Sequence, residues 1–276
     1  MKEMAAFIDT QSGGPGKGWL QIVYTPEQAR QVIGENRLAV VLGVEVDSLG
    51  NWRNYDDLDK LSHGGLNQAR MLIAQELDWL HELGVRQITP IHLTNNTFGG
   101  TAIYMRFLEM ANLFVTGERW SVEDRWETGV RYRLDQDSND AVDDVERTVV
   151  VSGRHLRAMH RRTLLDHIPG IRDLYEALEA PRIAGGHANT RGLNRYGEIL
   201  LEEMMARGMI IDVDHMSEKA TDAALALAET HHYPVICSHA WFRDLLFSAQ
   251  VEFDTVKHEH YRILPVIFRR RTCACF

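Results

Sequence analysis

The stretch LAVVLGVEV, residues 38–46, is rich in β-branched side chains and nearly free of polar ones. Such a run is typical of a strand that is buried on both faces of a parallel sheet. Before it, Thr25 and Pro26 predict a helix start, because threonine is a favoured N-cap and proline fits the first helical position. After it, residues 66–83 place apolar side chains three and four residues apart and are followed by Gly84. This pattern predicts an amphipathic helix with a glycine C-cap.

The same alternation of strands and helices continues along the chain. Further strands are predicted for residues 85–93, 209–214 and 234–238, and further helices for residues 193–207 and 217–230. Strands that alternate with helices indicate β-α units and a parallel sheet. The sequence therefore predicts an α/β fold.

Composition narrows the classes of function. The 276 residues carry a formal net charge of −9, which is the wrong sign for a protein that binds the phosphate backbone of nucleic acid. The three cysteines are too few for a disulfide framework and fit a reducing compartment. No apolar run approaches the roughly 18 residues that a membrane span requires. We therefore expect a chain with no membrane span and no nucleic-acid partner, and cytoplasmic localisation is the default.

Two segments differ in composition from the rest. Around residues 117–147, charged and turn-forming residues replace the periodic pattern, which predicts a charged insertion. Residues 261–276 are rich in arginine, contain Cys273 and Cys275, and lack acidic residues in an otherwise acidic chain. This end is either a genuine basic tail or a truncated or out-of-frame terminus, and its composition favours the second. We therefore expect a single domain over residues 1–260, followed by an atypical basic tail.

Polar side chains that can bind metals stand at the ends of the predicted strands. They are Glu45, His92, Asp212, Asp214, His215 and His239. In parallel α/β folds, ligands bind beyond the carboxyl ends of the strands, so these side chains would converge on one edge of the sheet. A glutamate and two histidines suit Zn²⁺ with an open fourth position for water, which is the arrangement of a hydrolytic metal site.

Each of these residues also has a purely structural interpretation. Glu45 could end its strand and cap the following turn, and His92 could be a hydrogen-bonded loop histidine. Asp212 and Asp214 alternate along a strand and so share a face, where either could point to the interior or cap the next helix. A single histidine at a strand end is weak evidence for a ligand, and two that each close a β-α unit are stronger evidence.

Four stretches of the sequence resemble the membrane (renal) dipeptidase family of zinc peptidases, which are amidohydrolase-like TIM barrels. They are GVEVDSLG (43–50), GVRQITPIHLTNNTFGG (84–100), RGLNRYGEILLEEMMARGMIIDVDHMS (191–217) and YPVICSHA (233–240). The resemblance covers residues 17–250 and follows the family's motif order. It implies a (β/α)8 barrel that hydrolyses the peptide bond of a dipeptide by means of metal-activated water.

The resemblance also implies roles for individual residues. Glu45 is similar to the carboxylate that bridges two zinc ions in the family, and His215 and His239 are similar to the imidazoles that complete one of those ions. His92 is similar to the histidine that binds substrate and polarises the carbonyl of the scissile amide. Arg243 is a further candidate, because a guanidinium suits the carboxylate of a peptide, although the family's own clamp lies further along the chain.

The chain departs from the family pattern in two places. The family takes a His-x-Asp pair from its first barrel strand, whereas this chain has no histidine before His63. The family also takes a catalytic aspartate from its last strand, and after His239 neither Asp244 nor Asp254 closes an apolar strand. We therefore expect residues 1–260 to form a partial barrel that lacks the first strand and the C-terminal strands, because a closed barrel needs eight.

These departures set the expected metal content and activity. Glu45, His215 and His239 could hold one zinc, whereas a second ion would lose its His-x-Asp ligands, so at most one zinc and an impaired dipeptidase activity are expected. The alternatives are a catalytically inactive fragment, a binding protein of the same fold, or another amidohydrolase-type reaction such as lactone or phosphoester hydrolysis. A dipeptide is the expected partner. An oligomer is also conceivable, because an open barrel would expose unpaired strand edges.

Overall fold

The computed structural model describes residues 1–103, 107–123, 131–132, 188–239 and 256–257. Several sequence-based expectations concern residues outside these ranges. They are the candidate Arg243, the basic tail over residues 261–276 and most of the insertion near residues 117–147. These expectations, and the extent of the domain, stay predictions.

The described residues alternate between helices and parallel strands. The helices are α1 (Lys2–Gln11), α2 (Pro26–Gly34), α3 (Tyr55–Leu61), α4 (Leu66–Glu82), α5 (Phe107–Thr116), α6 (Arg195–Ala206) and α7 (Glu218–Thr230). The strands are β1 (Leu20–Ile22), β2 (Leu38–Val40), β3 (Leu42–Glu45), β4 (Val85–Thr89), β5 (Val122–Glu123), β6 (Arg131–Tyr132), β7 (Ala188–Asn189), β8 (Ile210–Asp212), β9 (Val235–Ile236) and β10 (Val256–Lys257). Among the described helices, none combines the length and the apolar character that crossing a membrane requires.

A four-stranded parallel sheet forms the centre of the described fold, with the strand order β3-β4-β8-β9. The register places Ile88 beside Ile211, and Asp212 beside Ile236. Because every neighbouring pair is parallel, the carboxyl ends of all four strands meet at one edge. The predicted α/β fold with a parallel sheet is confirmed, and within the described residues this sheet is open and does not close into a barrel.

The predicted single strand over residues 38–46 is wrong in one respect, because the run is divided between two sheets. Its first part, β2, pairs with β1, and the Val40 carbonyl accepts a hydrogen bond from the Val23 amide at 2.9 Å. Its second part, β3, pairs with β4 in the central sheet. Val41 separates the two parts and is exposed. An apolar run shows that strands are present, but it does not show which neighbour each part selects.

The predicted helix boundaries follow the capping residues. The Thr25 side chain accepts a hydrogen bond from the Gln28 amide at the start of α2, and Ser217 accepts one from the Ala220 amide at the start of α7. Helix α4 ends just before Gly84, whose φ of 94° lies in the left-handed region that glycine adopts without strain. These side-chain and backbone caps satisfy groups that the helix ends would otherwise leave without partners.

Helices α4 and α6 cover the central sheet and supply much of its core. Ile73 and Leu77 of α4, Ile88 of β4, and Leu200 and Met204 of α6 are all fully buried in one cluster. Ion pairs also join the two helices, and their members are Arg70, Asp78, Glu202, Glu203 and Arg207. Burial of these apolar side chains is the main stabilising term, because each contributes about 1.5 to 3 kcal/mol relative to an exposed position.

The start of helix α6 is fastened to the loop that follows β4. Asn194 donates its backbone N–H to the Phe98 carbonyl at 3.0 Å and its side-chain amide to the Thr97 carbonyl at 2.7 Å. Its side-chain oxygen accepts hydrogen bonds from the amides of Tyr196 and Gly197. A Cβ atom on Gly197 would lie 2.3 Å from the Phe98 oxygen. The close approach of helix and loop therefore requires glycine at this position.

We expect Gly197→Ala to lower the free energy of unfolding by at least about 2 kcal/mol, because the added methyl group would force the helix away from the loop. The matched control is Gly34→Ala, which also places alanine in a helix but meets no atom within 4 Å. That change should be neutral or stabilising by up to about 1 kcal/mol. Urea unfolding of both variants measures the difference, and equal stability of the two would contradict the close approach.

The Asp212 carboxylate joins three strand ends of the central sheet. It is fully buried, and its Oδ2 accepts hydrogen bonds from Gln87 Nε2 at 3.0 Å and Thr89 Oγ1 at 3.2 Å. Its Oδ1 accepts the backbone N–H groups of Asp214 and Ser238, both at 3.2 Å. Donors from β4, from the turn after β8 and from the turn after β9 therefore meet on one side chain. This carboxylate fixes the edge where the polar strand-end residues stand.

We expect Asp212→Ala to lower the free energy of unfolding by about 3 kcal/mol or more, because the two backbone N–H groups cannot rotate to find other partners. The control is Asp56→Ala, since that carboxylate is 71 % exposed and only pairs with Lys60 across the helix surface. Its loss should cost less than about 1 kcal/mol. Urea unfolding is again the measurement, and a wild-type midpoint for Asp212→Ala would show that the three strand ends do not depend on this carboxylate.

Candidate functional site

The carboxyl-end edge of the central sheet brings together four side chains from four strands. Glu45 is the last residue of β3, and His92, His215 and His239 follow β4, β8 and β9. His215 Nε2 and His239 Nε2 lie 2.7 Å apart, and His92 Nε2 lies 3.2 Å from Glu45 Oε2. The rings of His92 and His215 meet edge to face with their centroids 4.6 Å apart. The convergence expected from the sequence is therefore present in the structure.

The three predicted metal ligands are neighbours, but they do not all present the same atoms to one point. His239 approaches His215 with its Nε2 atom and approaches Glu45 Oε1 with its Nδ1 atom, at 3.5 Å. The potential metal ligands fall into two groups, and the first consists of Glu45, His92 and His215. The second group consists of Asp212, Asp214 and His239. In each group all three ligand atoms lie within 4.8 Å of one another.

The site has a buried side and an accessible side. Asp214 is fully buried and His215 is nearly so. The side chains of Glu45 and His239, in contrast, are 44 % and 43 % exposed. A ligand from solvent can therefore reach the Glu45 carboxylate and the His239 ring, whereas the His215 ring is held by the protein interior.

Asp214 is the carboxylate that holds the turn containing His239. Its Oδ2 accepts the His239 backbone N–H at 2.6 Å and the Ser238 hydroxyl at 3.3 Å, and it lies 3.2 Å from His239 Nδ1. Burial raises the pKa of the Asp214 carboxyl, and the nearby Asp212 charge raises it further, whereas the hydrogen bond from the His239 amide acts in the opposite direction. Asp214 is therefore a buried acid whose contacts are mainly with the candidate site.

Asp47 is a site residue that the sequence did not single out. Its Oδ1 lies 3.0 Å from His92 Nδ1, so the His92 ring stands between two carboxylates, Glu45 on one side and Asp47 on the other. A signal for it was available, because Glu45 and Asp47 are two residues apart and share a face when the chain is extended. Ser238 was missed as well, and its position directly before His239 was the corresponding signal.

The backbone at the site adopts a conformation that most residues avoid. Leu93 and His215 have φ values of 56° and 63°, in the left-handed region where a non-glycine residue is strained. The His215 carbonyl accepts hydrogen bonds from the Ala102 amide at 2.7 Å and from Thr101 Oγ1 at 3.0 Å. These contacts hold the turn that directs the His215 ring towards the other strand ends.

Asn95, which lies close to His92 in the sequence, belongs to a separate buried network. Its Oδ1 accepts hydrogen bonds from the Thr101 amide and from Asn189 Nδ2, and its backbone N–H donates to Asn112 Oδ1. These bonds fasten the loop after β4 to β7 and α5. The contacts of Asn95 therefore stabilise this loop and are separate from those of the candidate site.

Comparisons with known proteins bear on the second half of this site. Residues 177–250 match the family described as membrane dipeptidase (peptidase family M19), and this range contains His215 and His239. A similar solved structure is that of the probable dipeptidase PvdM from Pseudomonas aeruginosa, with 18 % identity and a TM-score of 0.38. The match covers 83 % of this chain and 32 % of that one, so this chain spans about a third of its length.

No curated protein matches the sequence. The family match nevertheless covers two of the four motifs from which the resemblance was inferred, including the one that contains His239. Residues 177–250 are therefore similar to the membrane dipeptidase family, in agreement with the motifs that they contain.

Proposed function

We propose that this chain is a metal-dependent, dipeptidase-like hydrolase with its active site at the carboxyl-end edge of the central sheet. The observation that carries the proposal is the meeting of Glu45, His92, His215 and His239 at that edge. The family match over residues 177–250 supports peptide-bond hydrolysis as the reaction class. In this proposal Glu45, His215 and His239 hold one zinc ion, and a dipeptide is the substrate.

The donor set fits zinc by its chemistry. Imidazole nitrogens and a carboxylate oxygen are the ligand types that catalytic zinc sites use, together with an open position for water or substrate. The exposed faces of Glu45 and His239 provide that open side. When bound, the cation would supply Lewis-acid polarisation of the peptide carbonyl and would make water a stronger nucleophile at neutral pH.

His92 is the proposed catalytic and substrate-binding residue. Its side chain is 18 % exposed and stands between Glu45 and Asp47, so its ring is held in a fixed orientation. An imidazole can donate from both nitrogens when it is protonated, and a donor held in advance stabilises negative charge that develops on a carbonyl oxygen. In this proposal Asp47 keeps its contact with His92 Nδ1 and Glu45 turns to the cation, which leaves His92 Nε2 to donate to the carbonyl of the scissile amide.

The proposed architecture is a partial (β/α)8 barrel. In this proposal the parallel strands β3, β4, β8 and β9, with α4 and α6 packed against them, are part of the barrel, and the polar site lies at their carboxyl ends, where barrel enzymes bind their ligands. Arg243 stays the proposed partner of the substrate carboxylate.

Zinc binding tests the ligand set. We expect the full chain, stripped with a chelator and titrated with zinc, to bind no more than one ion. We expect His215→Ala to weaken binding by at least about 100-fold, because loss of an outer partner alone weakens metal sites by about 10-fold to 100-fold and here a directly bonded imidazole is lost. The matched control is His231→Ala, since His231 is an exposed residue at the end of α7. Competition with a chromophoric chelator measures both affinities. Equal affinities of the two variants would show that His215 is not a ligand.

Dipeptide hydrolysis tests the role of His92. We expect His92→Ala to lower kcat/KM for a simple dipeptide by about 100-fold or more, as the loss of one preorganised donor does elsewhere, while zinc affinity stays near that of the wild type. A fall in zinc affinity as large as that of His215→Ala would instead make His92 a ligand. Zinc binding without turnover in the wild type would favour an inactive relative of the family over an enzyme.

A further inference from the structure

The Nδ1 atom of His239 lies in a closely packed polar environment. Ser238 Oγ is 2.8 Å away, Asp214 Oδ2 is 3.2 Å away and Glu45 Oε1 is 3.5 Å away. Ser238 and Asp214 also contact each other, because the serine hydroxyl donates to Asp214 Oδ2 at 3.3 Å. The ring nitrogen, the hydroxyl and the buried carboxylate therefore form one connected group.

The acceptors around His239 Nδ1 favour one tautomer of the ring. Asp214 Oδ2 and Glu45 Oε1 face Nδ1 at 3.2 Å and 3.5 Å, and an ionised carboxylate can only accept a hydrogen bond. A lone pair on Nδ1 would be repelled by these oxygens, so the ring hydrogen belongs on Nδ1, and the Ser238 hydroxyl then directs its one hydrogen to Asp214 Oδ2. In a neutral imidazole this leaves the lone pair on Nε2, and Nε2 is the atom that lies 2.7 Å from His215 Nε2.

The same carboxylate also holds the backbone of the ligand. The His239 amide donates to Asp214 Oδ2 at 2.6 Å, which ties the turn after β9 to the turn after β8. Asp214 is itself held by Asp212, whose Oδ1 accepts the Asp214 amide at 3.2 Å. Both the position and the tautomer of His239 can therefore be traced to one buried side chain.

We propose that Asp214 is a positioning residue that fixes His239 in the tautomer with its Nε2 lone pair directed at the cation site. The inference rests on the proposed function, since it concerns how a ligand of that site is prepared. A carboxylate on the second ring nitrogen is a common device at metal sites, where it sets the ring orientation and raises the basicity of the ligand. Asp214 touches neither substrate nor cation in this scheme and acts only through His239.

The direct test is the tautomer of His239 in the full chain without metal. Long-range ¹H–¹⁵N spectra of protein labelled at histidine, recorded at about pH 8.5, well above the ordinary pKa of a free imidazole, distinguish a hydrogen on Nδ1 from one on Nε2. We expect the Nδ1–H form in the wild type and a shift towards the Nε2–H form in Asp214→Ala. A wild-type His239 with its hydrogen on Nε2 would overturn the proposal.

Zinc affinity gives the second readout. Asp214→Ala should weaken zinc binding by about 10-fold to 100-fold, the usual range for loss of such a partner, and Asp214→Asn should recover part of the loss because its amide oxygen can still accept from Nδ1. The control is Ser238→Ala, which removes the hydroxyl and leaves the carboxylate in place. It should keep the Nδ1–H tautomer, and transfer of the hydrogen to Nε2 in Ser238→Ala alone would assign the role to the serine and contradict the proposal.

The two readouts separate this inference from the proposed function. If the wild type binds no zinc, the proposed function fails, and the tautomer of His239 still decides the inference. If the wild type binds zinc and Asp214→Ala, folded by near-ultraviolet circular dichroism, keeps both affinity and tautomer, the inference fails alone. Should Asp214→Ala not fold, the wild-type and Ser238→Ala spectra remain decisive.

Discussion

The structure of the candidate site depends on the buried carboxylate of Asp212. A carboxylate without contact with water is costly unless fixed donors replace its hydration, and here Gln87, Thr89 and the backbone amides of Asp214 and Ser238 do so. Those donors come from three neighbouring strands or from the turns that follow them. Hydrogen bonds to an ionised acceptor are about twice as strong as neutral ones, so the carboxylate determines how the three strand ends are spaced relative to one another.

A second carboxylate, that of Asp214, connects Asp212 to the turn that contains His239. Asp212 holds the Asp214 amide, and Asp214 in turn accepts the His239 amide. The side chains of Asp212 and Asp214 fall on the same side because they are two residues apart at the end of a strand. His215, the next residue, needs a left-handed backbone to turn towards its neighbours. The strain is tolerable because its carbonyl is bonded to Ala102 and Thr101.

How much of this follows from the sequence depends on whether the relevant signal is local. Helix starts at Thr25 and Ser217 were predictable because a cap involves a few adjacent residues, and the strand-end histidines were predictable because parallel strands share an edge. The division of residues 38–46 between two sheets was not, since pairing depends on distant segments. Asp47 was missed for the same reason. Its role exists only because His92, far away in the sequence, lies 3.0 Å from it.

The charges at the strand-end edge favour a cation over an anion as the ligand. The carboxylates there outnumber the imidazoles, and they are Glu45, Asp47, Asp212 and Asp214. Their mutual repulsion has a visible effect, since the Asp212 charge adds to burial in raising the pKa of the Asp214 carboxyl. A divalent cation would relieve this repulsion directly. An anionic ligand would be repelled by the same groups, and a bound divalent cation would weaken that repulsion by lowering the local negative charge.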